Sequence, residues 1–152
     1  MPTVRARRLI PAPREAVWAV VSDLASAPRW NRAWRRVEVV GEAGVGAVLR
    51  AEAEDGQTGE FEVAAWEPPE RIVFVPRRGG PEEGSSWLLL EAQGLRLLER
   101  AEGATLVVME ARARIRGLRG LVAGWLLWPG YQRQGLEAAL ERLAALFPGG
   151  AP

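Results

Sequence analysis

The hydrophobic period of this chain changes along its length, and that change restricts it to few architectures. Between Trp34 and Ile115, apolar residues recur at every second position in short runs closed by Gly, Pro or Asp, the pattern of antiparallel strands with one buried face. Thr105 to Ile115 is the plainest run, with Val107, Met109, Ala111, Ala113 and Ile115 on one side and Glu110, Arg112 and Arg114 on the other. Ala47 to Glu54 sets Ala47, Leu49, Ala51 and Ala53 against Val48, Arg50, Glu52 and Glu54, and Asp55-Gly56 marks a hairpin. Thr58 to Trp66 then sets Phe61, Val63 and Ala65 against Glu60 and Glu62. Arg35 to Val40 and Arg71 to Val75, the latter stopped at Pro76, read as further strands. Ser85 to Arg100 is too long for an average strand and contains Gly94, so it is one bulged strand or two.

Both ends depart from this alternation. Val4 to Ile10 reads as a strand ended by Pro11 and Pro13; a helix from Pro13 to Ser22 follows, with Pro13 in its first turn. Asp23 suits the N-cap of a second short helix that Pro28 stops. In the last third, Leu136, Leu140, Leu143 and Phe147 fall at helical spacing, with Arg133, Glu137, Glu141 and Arg142 largely opposite. Pro129-Gly130 predicts a kink or break between this helix and the apolar stretch Leu118 to Trp128. The fold class is therefore α+β: an antiparallel sheet of about six or seven strands, two short helices after the first strand, and a long C-terminal helix as the cover that a one-sided sheet needs. One domain is expected over 1–148, followed by a frayed tail over 149–152.

Composition decides which chemistries such a domain can carry. Its 152 residues suffice for a self-supporting core, at about 70% of the unfolded surface buried. There is no Cys, His or Lys; all twenty basic residues are Arg, a bias that fits a GC-rich genome and a heat-loving bacterium. Thiol nucleophiles, His-based triads, Schiff-base lysines and Cys/His zinc sites are excluded for want of the side chains. No phosphate-binding glycine loop follows a strand, so no cofactor and no metal are expected. A formal net charge of +1 supplies no field for nucleic acid, and none is expected as a partner. Met1 to Ile10 has no apolar run, and Leu118 to Trp128, broken by Arg119, Gly120 and Gly124, falls short of the roughly 20 residues a span requires. A cytoplasmic protein without a transmembrane segment is the expectation.

The residues Ile10-Pro11-Ala12-Pro13-Arg14-Glu15-Ala16-Val17-Trp18, then Ser22-Asp23, Trp30-Asn31 and Trp66-Glu67-Pro68-Pro69 with Ile72-Val73-Phe74 carry a resemblance. In them the chain is similar to the polyketide cyclase/dehydrase branch of the START-like helix-grip superfamily, over essentially its whole length. The resemblance implies a curved sheet gripping the C-terminal helix, with an apolar cavity between them and its mouth near Trp30 and Asn31. Alanines on the inward strand faces (Ala47, Ala51, Ala53, Ala65, Ala111, Ala113) leave room under a long helix. That room is either a pocket or is filled by tryptophans such as Trp30, Trp66, Trp87 and Trp125. Candidate cavity residues are Trp30, Asn31, Leu49, Ala51, Phe61 and Val63, with Phe74, Trp87, Met109, Ala111, Ala113, Trp125 and Tyr131.

Each polar candidate has a plainer structural role beside its functional one. Asn31 is a ligand donor or a turn former. Tyr131, the only tyrosine, is a proton donor in a chain without His, or an amphipathic anchor at a helix break. Glu52, Glu54, Glu60 and Glu62 form a carboxylate cluster or a solvated strand face. Arg112, Arg114, Arg116 and Arg119 with Arg5, Arg7 and Arg8 form a basic stripe or a face answered by neighbouring Glu. The surplus apolar surface of Leu118 to Trp128 offers the lining of a cavity entrance, a contact for a second copy, making a homodimer, or a contact for a membrane surface. The leading expectation is a binder or carrier of a small hydrophobic molecule such as a lipid, quinone or polyketide-like aromatic. The alternatives are a cyclase or dehydratase-type enzyme, and an adaptor docking a protein partner through Leu118 to Trp128.

Overall fold

Alternating strands joined by tight turns pair with their chain neighbours, and a chain built mostly of them closes into one sheet. The computed structural model describes residues 3–54, 56, 58–77, 88–100, 103–115 and 128–147, with the backbone alone at 88–91, 114, 115, 128 and 131. Its elements are β1 (Thr3–Ile10), α1 (Arg14–Val21), a 3-10 turn (Leu24–Arg29), β2 (Trp34–Val40), β3 (Val48–Ala53), β4 (Thr58–Glu67), β5 (Arg71–Pro76), β6 (Leu88–Arg100), β7 (Ala104–Ile115) and α2 (Trp128–Ala145). The seven strands form one curved antiparallel sheet in the order β1-β7-β6-β5-β4-β3-β2. β1 and β2 are thus opposite edges, so α1 and the 3-10 turn that connect them cross a face of the sheet. That face becomes the inside.

Two apolar clusters fill it. The larger joins Val4, Ala6 and Ile10 of β1, Val17 and Val21 of α1, Leu95 and Leu97 of β6, and Val107, Met109, Ala111 and Ala113 of β7 to Leu136, Ala139, Leu140 and Leu143 of α2. The four α2 residues form one stripe at helical spacing, all nearly inaccessible, and α2 packs mainly on β1. The smaller cluster holds Leu24 of the 3-10 turn with Ala47, Leu49, Val63 and Ile72, flanked by Val37, Phe61, Trp66 and Phe74. Trp18 of α1 meets Trp66 of β4 edge to face, with ring centroids 5.3 Å apart, and so ties the clusters together. Beside β1, the buried Thr105 Oγ1 donates to the Ala12 carbonyl at 2.8 Å.

Several sequence expectations are corrected, each for a local reason. Pro13 stands before α1 as its N-cap, in extended backbone (φ −66°, ψ 153°), and its carbonyl accepts the Ala16 and Val17 amides. Pro28 lies inside the 3-10 turn instead of stopping a helix; the bonds there run from the Trp30 and Asn31 amides to the Ala27 carbonyl and need no N–H at Pro28. Pro76 belongs to β5, paired with Phe61. Pro129 and Gly130 fall in the first turn of α2, where a missing N–H costs little, and Phe147 lies just past the helix end while still packing on the core. β6 is one strand, and its irregularity falls between Leu90 and Ala92, away from Gly94. Gly94 answers a different need: a Cβ there would stand 2.7 Å from the Ile72 carbonyl oxygen, so β5 and β6 approach too closely for a side chain. Asp55, Ser85 to Trp87, Leu118 to Leu127 and the tail from Pro148 lie outside the described residues.

Candidate ligand cavity

The two clusters do not close completely against each other. A partly open cavity of about 60 Å³ remains at their seam. Its wall takes Trp30, Leu95, Met109 and Leu136 from the larger cluster and Leu24 and Leu49 from the smaller. Val21, Ala27, Val37, Ala51, Phe61 and Phe74 complete the apolar lining, and Trp34 meets Phe61 edge to face at 5.3 Å. A small side chain helps make the space: Ala51 faces inward from β3 beside Leu49. A cavity of this size holds a few waters.

Three wall residues carry polar side chains besides Trp34, namely Asn31, Gln93 and Trp30. Asn31 is bound tightly by its own turn: its amide donates to the Ala27 carbonyl at 2.8 Å, and its Oδ1 accepts the Ala33 amide at 3.1 Å. That last bond fixes the side-chain amide orientation and leaves the Nδ2 hydrogens as the available donors. Gln93 shares the inward phase of Leu95 on β6, across from Ala111 and Phe74. Trp30 is 4% exposed, and its Nε1 is buried with no hydrogen-bond partner among the described residues. Glu110 borders the cavity from β7 between the inward Met109 and Ala111, but its carboxylate is on the outer face, engaged by Arg5 at 2.7 Å and by Arg112 at 3.7 Å.

Of the residues singled out in sequence, the structure brings Trp30, Asn31, Leu49, Ala51, Phe61, Phe74 and Met109 together along this wall. Val63, Ala111 and Ala113 are fully buried in the packed clusters and are not among the lining residues. Ala53 and Ala65 are half-buried. Tyr131 is placed on α2 by its backbone alone, and Trp87 and Trp125 lie outside the described residues. Trp34 and Gln93 escaped sequence reasoning. Counting by twos from Val37 puts Trp34 on the outer face, but a register shift between Trp34 and Arg36 returns it to the inside. Gln93 could have been found from its phase with Leu95 and Leu97 had the register of β6 been known.

The charged candidates lie elsewhere. Glu60 faces Arg77 at 3.2 Å and Arg50 at 3.8 Å, and Glu52 faces Arg35 at 3.6 Å, an ion-paired outer surface. β1 and β7 are neighbours, so Arg5 and Arg112 do share a face, with Glu110 between them. Arg14, at the start of α1, reaches toward Glu70 at 3.7 Å and Glu99 at 4.0 Å. Among the described residues, no helix is long and apolar enough to cross a membrane.

A curved antiparallel sheet holding a C-terminal helix, with an apolar cavity on its inner side, defines the helix-grip class. The family model described as polyketide cyclase / dehydrase and lipid transport matches residues 1–148, and the chain belongs to that family. Solved structures share the fold at low identity. A protein of Thermus thermophilus superposes with a TM-score of 0.72 at 23% identity, covering 95% of each chain. Truncated norcoclaurine synthase of Thalictrum flavum superposes with a TM-score of 0.71 at 14% identity, covering 99% of this chain and 95% of that one. The Aha1 dimer of Colwellia psychrerythraea gives 0.68 at 16% identity, covering 99% of this chain and 100% of that one. No curated protein matches the chain in sequence.

Proposed function

We propose that the protein binds or carries a small hydrophobic molecule, of the lipid, quinone or polyketide-like aromatic kind, in the cavity at the cluster seam. The observation that carries this reading is the unfilled space itself: Leu49, Phe61, Phe74, Leu95 and Met109 turn apolar surface toward it where a packed core would bring side chains into contact. Membership in a family whose description includes lipid transport supports the same reading. A carrier is favoured over a cyclase because the polar side chains of the described wall are amides and indoles, and the Glu110 carboxylate lies on the outer face of the sheet with Arg5 and Arg112. At about 60 Å³ the space is smaller than the roughly 150 Å³ of an engineered cavity that accepts benzene. Ligand entry therefore involves side-chain movement or leaves part of the ligand at the open side.

Native mass spectrometry of freshly purified protein, followed by organic extraction, tests the reading. A stoichiometric apolar adduct is the expected result, and its identity names the ligand. A clean apo mass together with no uptake of added apolar ligands contradicts the proposal and moves weight to the adaptor reading, whose surface, Leu118 to Trp128, lies almost wholly outside the described residues.

A further inference from the structure

Along one side of the cavity, the stretch from Asp23 to Val37 carries more hydrogen-bond donors than acceptors in its side chains. Asn31 Oδ1 is spent on the Ala33 amide, and its Nδ2 has no acceptor among the described residues. The Trp30 indole N–H also lacks an acceptor among the described residues, but it is sealed from solvent and lies too deep for a group at the mouth to reach. Arg29 and Arg32 flank these two residues in sequence, are exposed, and have no carboxylate within ion-pair distance among the described residues. Between Asp23 and Val37 the chain carries four arginines, Arg29, Arg32, Arg35 and Arg36, against the single carboxylate of Asp23. Asp23 accepts a bond from Ser26 at 2.7 Å, and Arg35 is paired with Glu52. The Glu110 carboxylate lies on the outer face of the sheet, engaged by Arg5 and Arg112.

Unpartnered donors next to an apolar cavity complement one kind of molecule. We propose that the ligand is an amphiphile whose apolar body enters the seam and whose anionic oxygen head, a carboxylate or a phosphate, is held at the mouth by Asn31 Nδ2, Arg29 and Arg32. The cavity volume agrees with this arrangement, since a space of about 60 Å³ takes in only part of a chain or ring and leaves the head outside. Guanidinium groups suit the task because their fork matches both carboxylate and phosphate geometry. The inference rests on the hydrophobic-binder reading and adds the charge of the ligand to it.

Calorimetric titration with octanoate, octyl phosphate and octan-1-ol separates the two ideas. The expected result is that at least one of the anions binds about tenfold or more tightly than the alcohol at low salt. The preference shrinks as salt is raised and falls to near parity in the Arg29→Gln/Arg32→Gln double variant. Octanoate and octyl phosphate distinguish a carboxylate from a phosphate head. Octan-1-ol binding as tightly as both anions overturns the anionic head and leaves the hydrophobic binder standing. A preference that survives the double variant with an unchanged melting temperature overturns the placement at this mouth. Failure of all three ligands to bind overturns the anionic amphiphile, while the hydrophobic-binder reading is decided by the native mass spectrum.

Discussion

At the scale of single residues, backbone approach and buried hydrogen bonds decide more than side-chain identity. Gly94 sits where β5 comes so close that a methyl group would press on the Ile72 carbonyl at 2.7 Å and on Val73 Cγ2 at 3.2 Å. Backbone cannot swing aside as a flexible side-chain end can, so Gly94→Ala is expected to destabilise the fold by about 1–3 kcal/mol in denaturant unfolding. An unchanged midpoint would mean that the strands are farther apart than described. Thr105 makes a second such test. Its hydroxyl satisfies the Ala12 carbonyl inside the molecule, where water cannot replace it. Thr105→Val keeps the shape, removes the donor, and is expected to cost about 1–3 kcal/mol, whereas Thr105→Ser keeps the bond and should lose less. Equal losses in the two variants would show that the hydrogen bond contributes nothing net. By contrast, Arg5→Gln is expected to change stability by about 1 kcal/mol or less, because Arg5 is 68% exposed and its pair with Glu110 lies in high dielectric.

At the scale of elements, what could be read from sequence followed the strength of the periodic signal. β7 and the Leu136 to Leu143 stripe of α2 are where their phases put them, because a strand with one apolar face and a helix with one apolar stripe have a single way to bury both. The helix-grip arrangement followed from those two elements together with the Ile10 to Trp18 and Trp66 to Pro69 motifs. Trp18 and Trp66 of those motifs now prove to be packing partners. The cavity wall was less legible. Trp34 was missed because a bulge reverses its phase, and Gln93 because a 13-residue strand with an irregularity near its start conceals which phase faces inward. Hydrogen-bond register is a property of strand pairs, so no reading along one strand could have supplied it. The stripe itself makes a prediction: Leu143→Ala, at a side chain with no exposure, is expected to cost about 2–5 kcal/mol, read as an earlier unfolding midpoint. A loss under about 1 kcal/mol would mean that α2 lies on the sheet less tightly than its burial indicates.

At the scale of the whole molecule, the sheet does two jobs with one face. Near β1 and β7 that face is closed by α1 and α2 into a dense core, and near β3, β4 and β5 it is covered by a short 3-10 turn that leaves the seam open. Stability and binding are thereby assigned to different parts of the same surface. A substitution that fills the seam should therefore affect binding more than folding: Ala51→Leu is expected to weaken uptake of an apolar ligand at least about tenfold while leaving the fold intact. The most direct test of the central claim, that ligand enters this seam, is the nitrogen-proton spectrum of the tryptophan indoles during titration with octanoate and octan-1-ol. The Trp30 and Trp34 signals, assigned by single Trp→Phe variants, are expected to shift in a saturable way, while those of Trp18 and Trp66, which face each other away from the cavity wall, stay in place. Shifts confined to Trp18 and Trp66, or no saturable shift with either ligand, would contradict that claim.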